Sequence, residues 1–127
     1  MSERGEGFLP GAHQIEGYGA GGFRFGGMSH RGSIIAAPSG VSAIAALSVE
    51  ELDAEMLAPL FSESAGAVQL VVLGTGANLV VPPRALRETL RAAGMGVDPM
   101  ATGHAVATYN ILLGEGRRVA AVLLASA

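Results

Sequence analysis

Three short stretches hold residue types that could do chemistry. Gly74-Thr75-Gly76 directly follows the aliphatic run Val68-Gln69-Leu70-Val71-Val72-Leu73. In open α/β sheets, ligands bind outside the carboxyl ends of strands, and glycines there let a ligand approach the backbone. Thr75 adds a hydroxyl, and free amides at such a turn suit an anion. The competing reading is a purely structural turn. The triplet has no third glycine at the dinucleotide spacing and no P-loop GK[ST]. Met100-Ala101-Thr102-Gly103-His104 ends a second candidate strand. His104 can move a proton near neutral pH, but a general base needs a positioned partner, and no acid is paired with it in sequence. Its plain alternative is a helix-start histidine facing solvent or bonding a carbonyl. Thr108-Tyr109-Asn110 falls in the middle of a helical stretch. Tyr109 can bury its ring and hold its hydroxyl in a cleft. Asn110 is costly to bury without partners, so lining a site and bracing the fold stand level. Gly74, Thr75, Gly76, Met100, Thr102, His104, Thr108, Tyr109 and Asn110 therefore form one candidate crevice.

Arg24 lies between Phe23 and Phe25. On a half-buried strand it points away from both rings, either as a solvated or salt-bridged side chain or as an anchor for an anion. His13 falls in a polar opening segment, and His30 stands beside Arg31 just before a strand. Glu50, Glu51, Asp53 and Glu55 cluster near a helix start, where acids complement the macrodipole. There is no GxSxG, no HExxH and no His/Asp metal-ligand spacing. No metal site and no cofactor are expected.

These residues need a scaffold, and 127 residues suffice for one domain with a real core. The expected division is a flexible tail over residues 1–14 and an α/β domain over 15–127. There are no cysteines. That excludes a disulfide framework and thiol chemistry, and it fits a reducing cytoplasm. Eight Arg, eleven acids and a net charge of −3, without a basic run, speak against nucleic acid as a partner. Half the residues are hydrophobic and 15% are charged. The uncharged stretches 33–49 and 64–83 are interrupted by Gly and Pro, so they read as buried strands with turns rather than as membrane spans. The opening residues lack the pattern of a secretory signal.

Alternation and breakers place the elements. Residues 15–18, 23–25, 33–37 and 41–49 read as an opening meander of antiparallel strands. Ser48 with Glu51 fits a capping box, Asp53 is a rival helix start, and Pro59 keeps that helix short or kinked. Residues 68–73 form the strongest strand, nearly continuously aliphatic as a doubly covered strand should be. A helix follows from Pro83 to about Ala93, ended by Gly94. Residues 97–100 are a short strand, Thr102 is a helix N-cap, residues 105–113 are helical, and 119–124 are a final strand. Strand–helix–strand–helix–strand favours a parallel or mixed sheet covered by helices.

Several of these segments together resemble a known family. They are Phe23-Arg24-Phe25, Ser29-His30-Arg31-Gly32-Ser33-Ile34-Ile35, Leu73-Gly74-Thr75-Gly76, Thr108-Tyr109-Asn110-Ile111-Leu112-Leu113 and Glu115-Gly116-Arg117-Arg118-Val119. They are similar to a domain-of-unknown-function family of small α/β proteins that includes the mitochondrial respiratory complex I assembly factor three. The resemblance spans roughly residues 13–125. It implies a three-layer fold with a central mixed sheet flanked by helices. It implies no established reaction, and in the mitochondrial relatives it implies a role as assembly partner of a membrane complex. It also implies a crevice near Gly74-Thr75-Gly76 and the Thr108-Tyr109-Asn110 helix. The family commonly has Asp before the threonine of the last helix, where this chain has Ala101, so position 101 cannot act as an acid or base.

Two functions compete on this basis. One is a protein-interaction or assembly module, with another protein, a respiratory-complex subunit or a second copy as partner; on that reading the chain is not an enzyme. The other is a small-molecule or anion binder, or an enzyme, using the crevice at Gly74–Gly76. The first expects an exposed apolar patch. The second expects polar groups converging in a pocket.

Overall fold

The computed structural model describes residues 8–126. In chain order the elements are β1 (Phe8–Pro10), β2 (Gly17–Gly19), β3 (Gly22–Phe25), β4 (Met28–Arg31), β5 (Ser33–Ala37), β6 (Gly40–Ile44), a 3-10 turn (Val49–Glu51), α1 (Ala58–Phe61), β7 (Leu70–Gly74), α2 (Arg84–Ala92), β8 (Gly96–Met100), α3 (Thr102–Gly114) and β9 (Val119–Leu123).

The most aliphatic strands lie in the middle of a six-stranded mixed sheet of order β1-β6-β5-β9-β7-β8. β9 runs antiparallel to β5 and parallel to β7. Every residue of β5 and β9 is buried, as a strand covered on both faces requires. Alternation then sorts the side chains between two cores. Ile35, Ala37, Val71, Leu73, Ala120 and Val122 face one way, against Leu57 and Leu60 near α1 and Leu86 and Leu90 of α2. Ile34, Ala36, Val72, Ala121 and Leu123 face the other, against Ala105, Val106 and Tyr109 of α3 and the rings of Phe23 and Phe25. The expected three-layer arrangement with a central mixed sheet is present.

The crossovers explain why the helices divide. From β7 the chain steps outward to the edge strand β8, and from β8 it returns past β7 to β9. Two right-handed crossovers running in opposite directions must leave their helices on opposite faces. The edge strand is tied to its neighbour at both ends: Gly96 N–H donates to Gln69 O at 2.9 Å, and Met100 O accepts Thr75 N–H at 2.9 Å.

Four expectations change in detail. The meander is shorter than the opening strands. β2, β3 and β4 form a separate three-stranded sheet, whereas β5 and β6 join the main one. Two-residue hairpins build the small sheet, with positive φ at Ala20 (53°) and Gly21 (78°), and at Gly26 (58°) and Gly27 (76°), the turns that match strand twist. Within the expected tail, residues 8–10 pair with β6 as an edge strand, while residues 1–7 lie outside the described residues. Both rival helix starts are used, each for one short turn. The Glu51 carboxylate accepts the N–H groups of Leu47 (2.6 Å) and Ser48 (3.3 Å), and Asp53 Oδ1 accepts Met56 N–H at 2.8 Å. Finally, Ala101 and not Thr102 is the N-cap of α3, because the Thr102 hydroxyl is bonded elsewhere.

Candidate functional site

At the carboxyl end of β7 the chain leaves the sheet, and the first turn of α3 closes over that end. A Cβ added to Gly74 would come within 3.0 Å of Thr102 Cα and Oγ1 and 3.1 Å of Ala105 Cβ. Glycine therefore serves here to let helix and strand touch. Thr102 Oγ1 accepts Gly76 N–H at 2.8 Å and donates to Leu124 O at 2.8 Å. Thr102 N–H donates to Gly76 O at 2.8 Å, and Leu124 N–H donates to Gly74 O at 3.0 Å. One buried hydroxyl thus joins α3 to the ends of both β7 and β9.

Thr75 is equally committed. Its hydroxyl donates to Asn78 O at 2.6 Å and accepts Val80 N–H at 3.0 Å, while Thr75 N–H is spent on Met100 O. Gly74, Thr75, Gly76, Met100 and Thr102 lie together. Their polar groups satisfy one another, and the space beside Gly74 is filled by protein.

The other members of the expected crevice lie further along α3. His104 is exposed and Thr108 is half-buried. Tyr109 and Asn110 follow Thr102 by seven and eight residues, or about 10–12 Å along a helix axis. They meet a different partner, the segment leading into β2. Asn110 Nδ2 donates to Ile15 O at 2.8 Å, and Asn110 Oδ1 accepts Ile15 N–H at 2.8 Å. The Tyr109 hydroxyl donates to His13 O at 3.1 Å. Burial pushes the Tyr109 phenol up to about 12. Of the two readings open for Tyr109 and Asn110, these bonds describe the brace. Arg24 lies apart, on the small sheet, with its side chain exposed.

Sequence reading missed the loop between β7 and α2. Leu79, Val80 and Val81 are 58%, 38% and 71% exposed. Three consecutive aliphatic residues in water are unusual, unlike scattered single ones. The signal was legible: a strand at 79–81 would run straight into Pro82-Pro83, where no ladder can form. The loop is held by Thr75, whose hydroxyl takes Val80 N–H. On the other side of the α3 start, the half-exposed ring of Tyr18 packs against Gly103 and leaves no room there for a Cβ. Thr102 and Gly103, adjacent in the first turn of α3, thus carry the Gly76 turn and the Tyr18 ring respectively. Exposed apolar side chains flank a rigid helix start.

A family model described as a protein of unknown function (DUF498/DUF598) matches residues 15–124. A protein of Rhodobacter capsulatus, described as uncharacterized, is 42% identical over 124 residues, which cover 98% of this chain and 93% of that protein. The crystal structure of an outer membrane protein from Bartonella henselae is similar at 41% identity, covering 94% of this chain and 99% of that one, with a TM-score of 0.87. The solution structure of a protein from Rhodopseudomonas palustris is also 41% identical, covering 100% and 93%, with a TM-score of 0.77.

Proposed function

The chain belongs to the DUF498/DUF598 family of proteins of unknown function, whose description names no activity, and from that premise we propose that it is a protein-interaction module of the assembly-factor kind. The observation that carries this reading is the exposed Leu79-Val80-Val81 run, on a loop that the Thr75 hydroxyl holds through Asn78 O and Val80 N–H. Docking such a run in an apolar pocket of a partner would remove its side chains from water, at roughly 25 cal/mol per Å². The rival reading, a small-molecule or anion site at Gly74-Thr75-Gly76, would have to break bonds between residues that already satisfy one another.

The partner in this reading is a folded protein subunit, with a respiratory-complex subunit the one the family resemblance suggests and a second copy of the chain the alternative. Among the described residues, no helix is long and apolar enough to cross a membrane. One relative is called an outer membrane protein. In this chain the module would dock on its partner from the aqueous side, and the absence of cysteine supports the cytoplasm as that side.

The test is affinity purification from the native host with wild-type chain and with the double variant Leu79→Asp, Val81→Asp. Both positions are exposed, so the variant should fold with unchanged stability. The expected result is reproducible recovery of one protein by wild type and its loss with the variant. Equal recovery by both forms overturns the assignment to this loop. A wild-type dimer that sediments as a monomer once the loop is changed would make the partner a second copy.

A further inference from the structure

The outward face of the small sheet carries a separate feature. Directly opposed residues share a face of an antiparallel sheet. Arg24 opposes Gly17 on one side and Ser29 on the other, and Gly22 opposes Gly19 and Arg31. With Phe23 and Phe25 turned into the core, these six residues face outward, and they line a concavity of about 540 Å³. Gly17 and Gly19 leave part of its floor bare, whereas Gly22 lies close against the β4 backbone. Arg24 leans across one of them: a Cβ on Gly17 would come 3.9 Å from Arg24 Cδ.

Among the described residues, neither arginine of this face makes an ion pair. Arg24 and Arg31 are diagonal neighbours, with backbones about 7–8 Å apart. Among the described residues the ion pair found is Arg84 with Glu88, on α2. Glu16, the acid nearest to Arg24 in sequence, is turned toward the hairpin, where it accepts Gly27 N–H at 3.3 Å. Like charges across a sheet face repel, yet the fold places both guanidinium groups over one hollow. Ser29 adds a hydroxyl directly opposite Arg24.

The geometry points to an oxyanion site in which Arg24 and Arg31, with Ser29 opposite Arg24, hold a phosphate group. A dianionic tetrahedral group has enough oxygens to engage both guanidinium forks, whereas a single carboxylate is matched by one of them. A hollow of about 540 Å³ also has room for the rest of a small phosphorylated molecule. The same phosphate chemistry is offered by a phosphomonoester in solution and by a lipid headgroup.

The experiment is an amide and arginine-side-chain NMR titration of the full chain with inorganic pyrophosphate. In parallel, phosphatidic acid vesicles, whose headgroup is a phosphomonoester, are compared with phosphatidylcholine vesicles in co-sedimentation. Saturable shifts confined to residues 17–24 and 29–31, weakening as salt rises, are expected. Arg24→Gln with Arg31→Gln should weaken binding at least about tenfold, the scale of a lost charge-assisted contact. Both side chains are exposed, so thermal unfolding should be unchanged. Arg87→Gln with Arg91→Gln removes as much charge from α2 and should leave the affinity intact. Binding of pyrophosphate assigns a soluble ligand. Binding of anionic vesicles alone, lost in the Arg24/Arg31 variant, assigns a headgroup. Linear shifts without saturation and no vesicle binding, or equal loss in both double variants, overturn the site.

Discussion

Asn110 holds Ile15 by both of its backbone groups, donating to the carbonyl and accepting from the N–H at 2.8 Å each. A side-chain amide thus stands in for a neighbouring strand. One residue earlier on α3, Tyr109 takes the carbonyl of His13. Between them they fix the segment entering the small sheet, and with it the placing of Ile15, Phe23 and Phe25 in the core against α3.

Replacing Asn110 by Ala strips two hydrogen bonds at once and leaves the Ile15 groups without partners. A loss of about 2–3 kcal/mol in global stability is expected. Hydrogen exchange should show the Ile15 amide freed well before those of β7 and β9. Unchanged protection at Ile15 would show that packing alone holds the segment.

Thr102 stands at a junction of three elements. Thr102→Val keeps the shape but leaves Gly76 N–H and Leu124 O unpaired in a buried place, at about 2–4 kcal/mol for the two. Thr102→Ser keeps the hydroxyl and should cost about 1 kcal/mol. Urea midpoints of the two variants decide the matter: a lower midpoint for Thr102→Ser than for Thr102→Val would mean that the methyl, not the hydroxyl, is the important group.

Ala101 is the N-cap of α3 and makes no side-chain cap bond. An Asp there could accept an N–H of the first turn and complement the helix dipole. Ala101→Asp should therefore stabilise the chain by about 1 kcal/mol. A thermal scan should show an increase in Tm of roughly 3–5 °C. The resembling family commonly has Asp at this position, so a gain would explain that residue as a cap. A fall in Tm would mean the half-buried position cannot solvate a carboxylate.

The phenol of Tyr109 is pushed up to about 12 from an ordinary value of 10.0. An unfolded chain loses this proton near pH 10, while the folded one keeps it to about 12. Tyr109 thus supports the fold fully below pH 10, and that support drains away as pH rises through 12. The loss is about 3 kcal/mol at most. Stability of wild type should fall across that window faster than that of Tyr109→Phe. Parallel curves for the two would assign the alkaline limb to other groups.

How far the sequence carried the fold follows from which signals were local. The runs of β5, β7 and β9 are continuous aliphatics, so their place in the sheet centre was legible. Pro83 and Gly94 likewise bracketed the helix α2 (Arg84–Ala92). Thr102 misled because a threonine before a helical run looks like a cap, and its true partners, Gly76 and Leu124, are 26 and 22 positions away. Tyr109 and Asn110 were grouped with Thr75 because they share a helix with Thr102. Two helical turns separate them, and no local pattern announces a bond to Ile15, 95 residues distant. β4 was missed because Met28, Ser29, His30 and Arg31 show no apolar alternation; the strand is defined by its pairing with β3.

The edge strand β8 points Gly96 and Met100 toward β7. Alternation then turns Val97 and Pro99 outward, and Pro99 has no N–H to give. At the opposite margin, β1 closes with Pro10. Pro99 removes one outward donor from the β8 border, which disfavours lengthening of the main sheet along that edge. Association along that edge then rests more on side chains, which can be selective about what they meet.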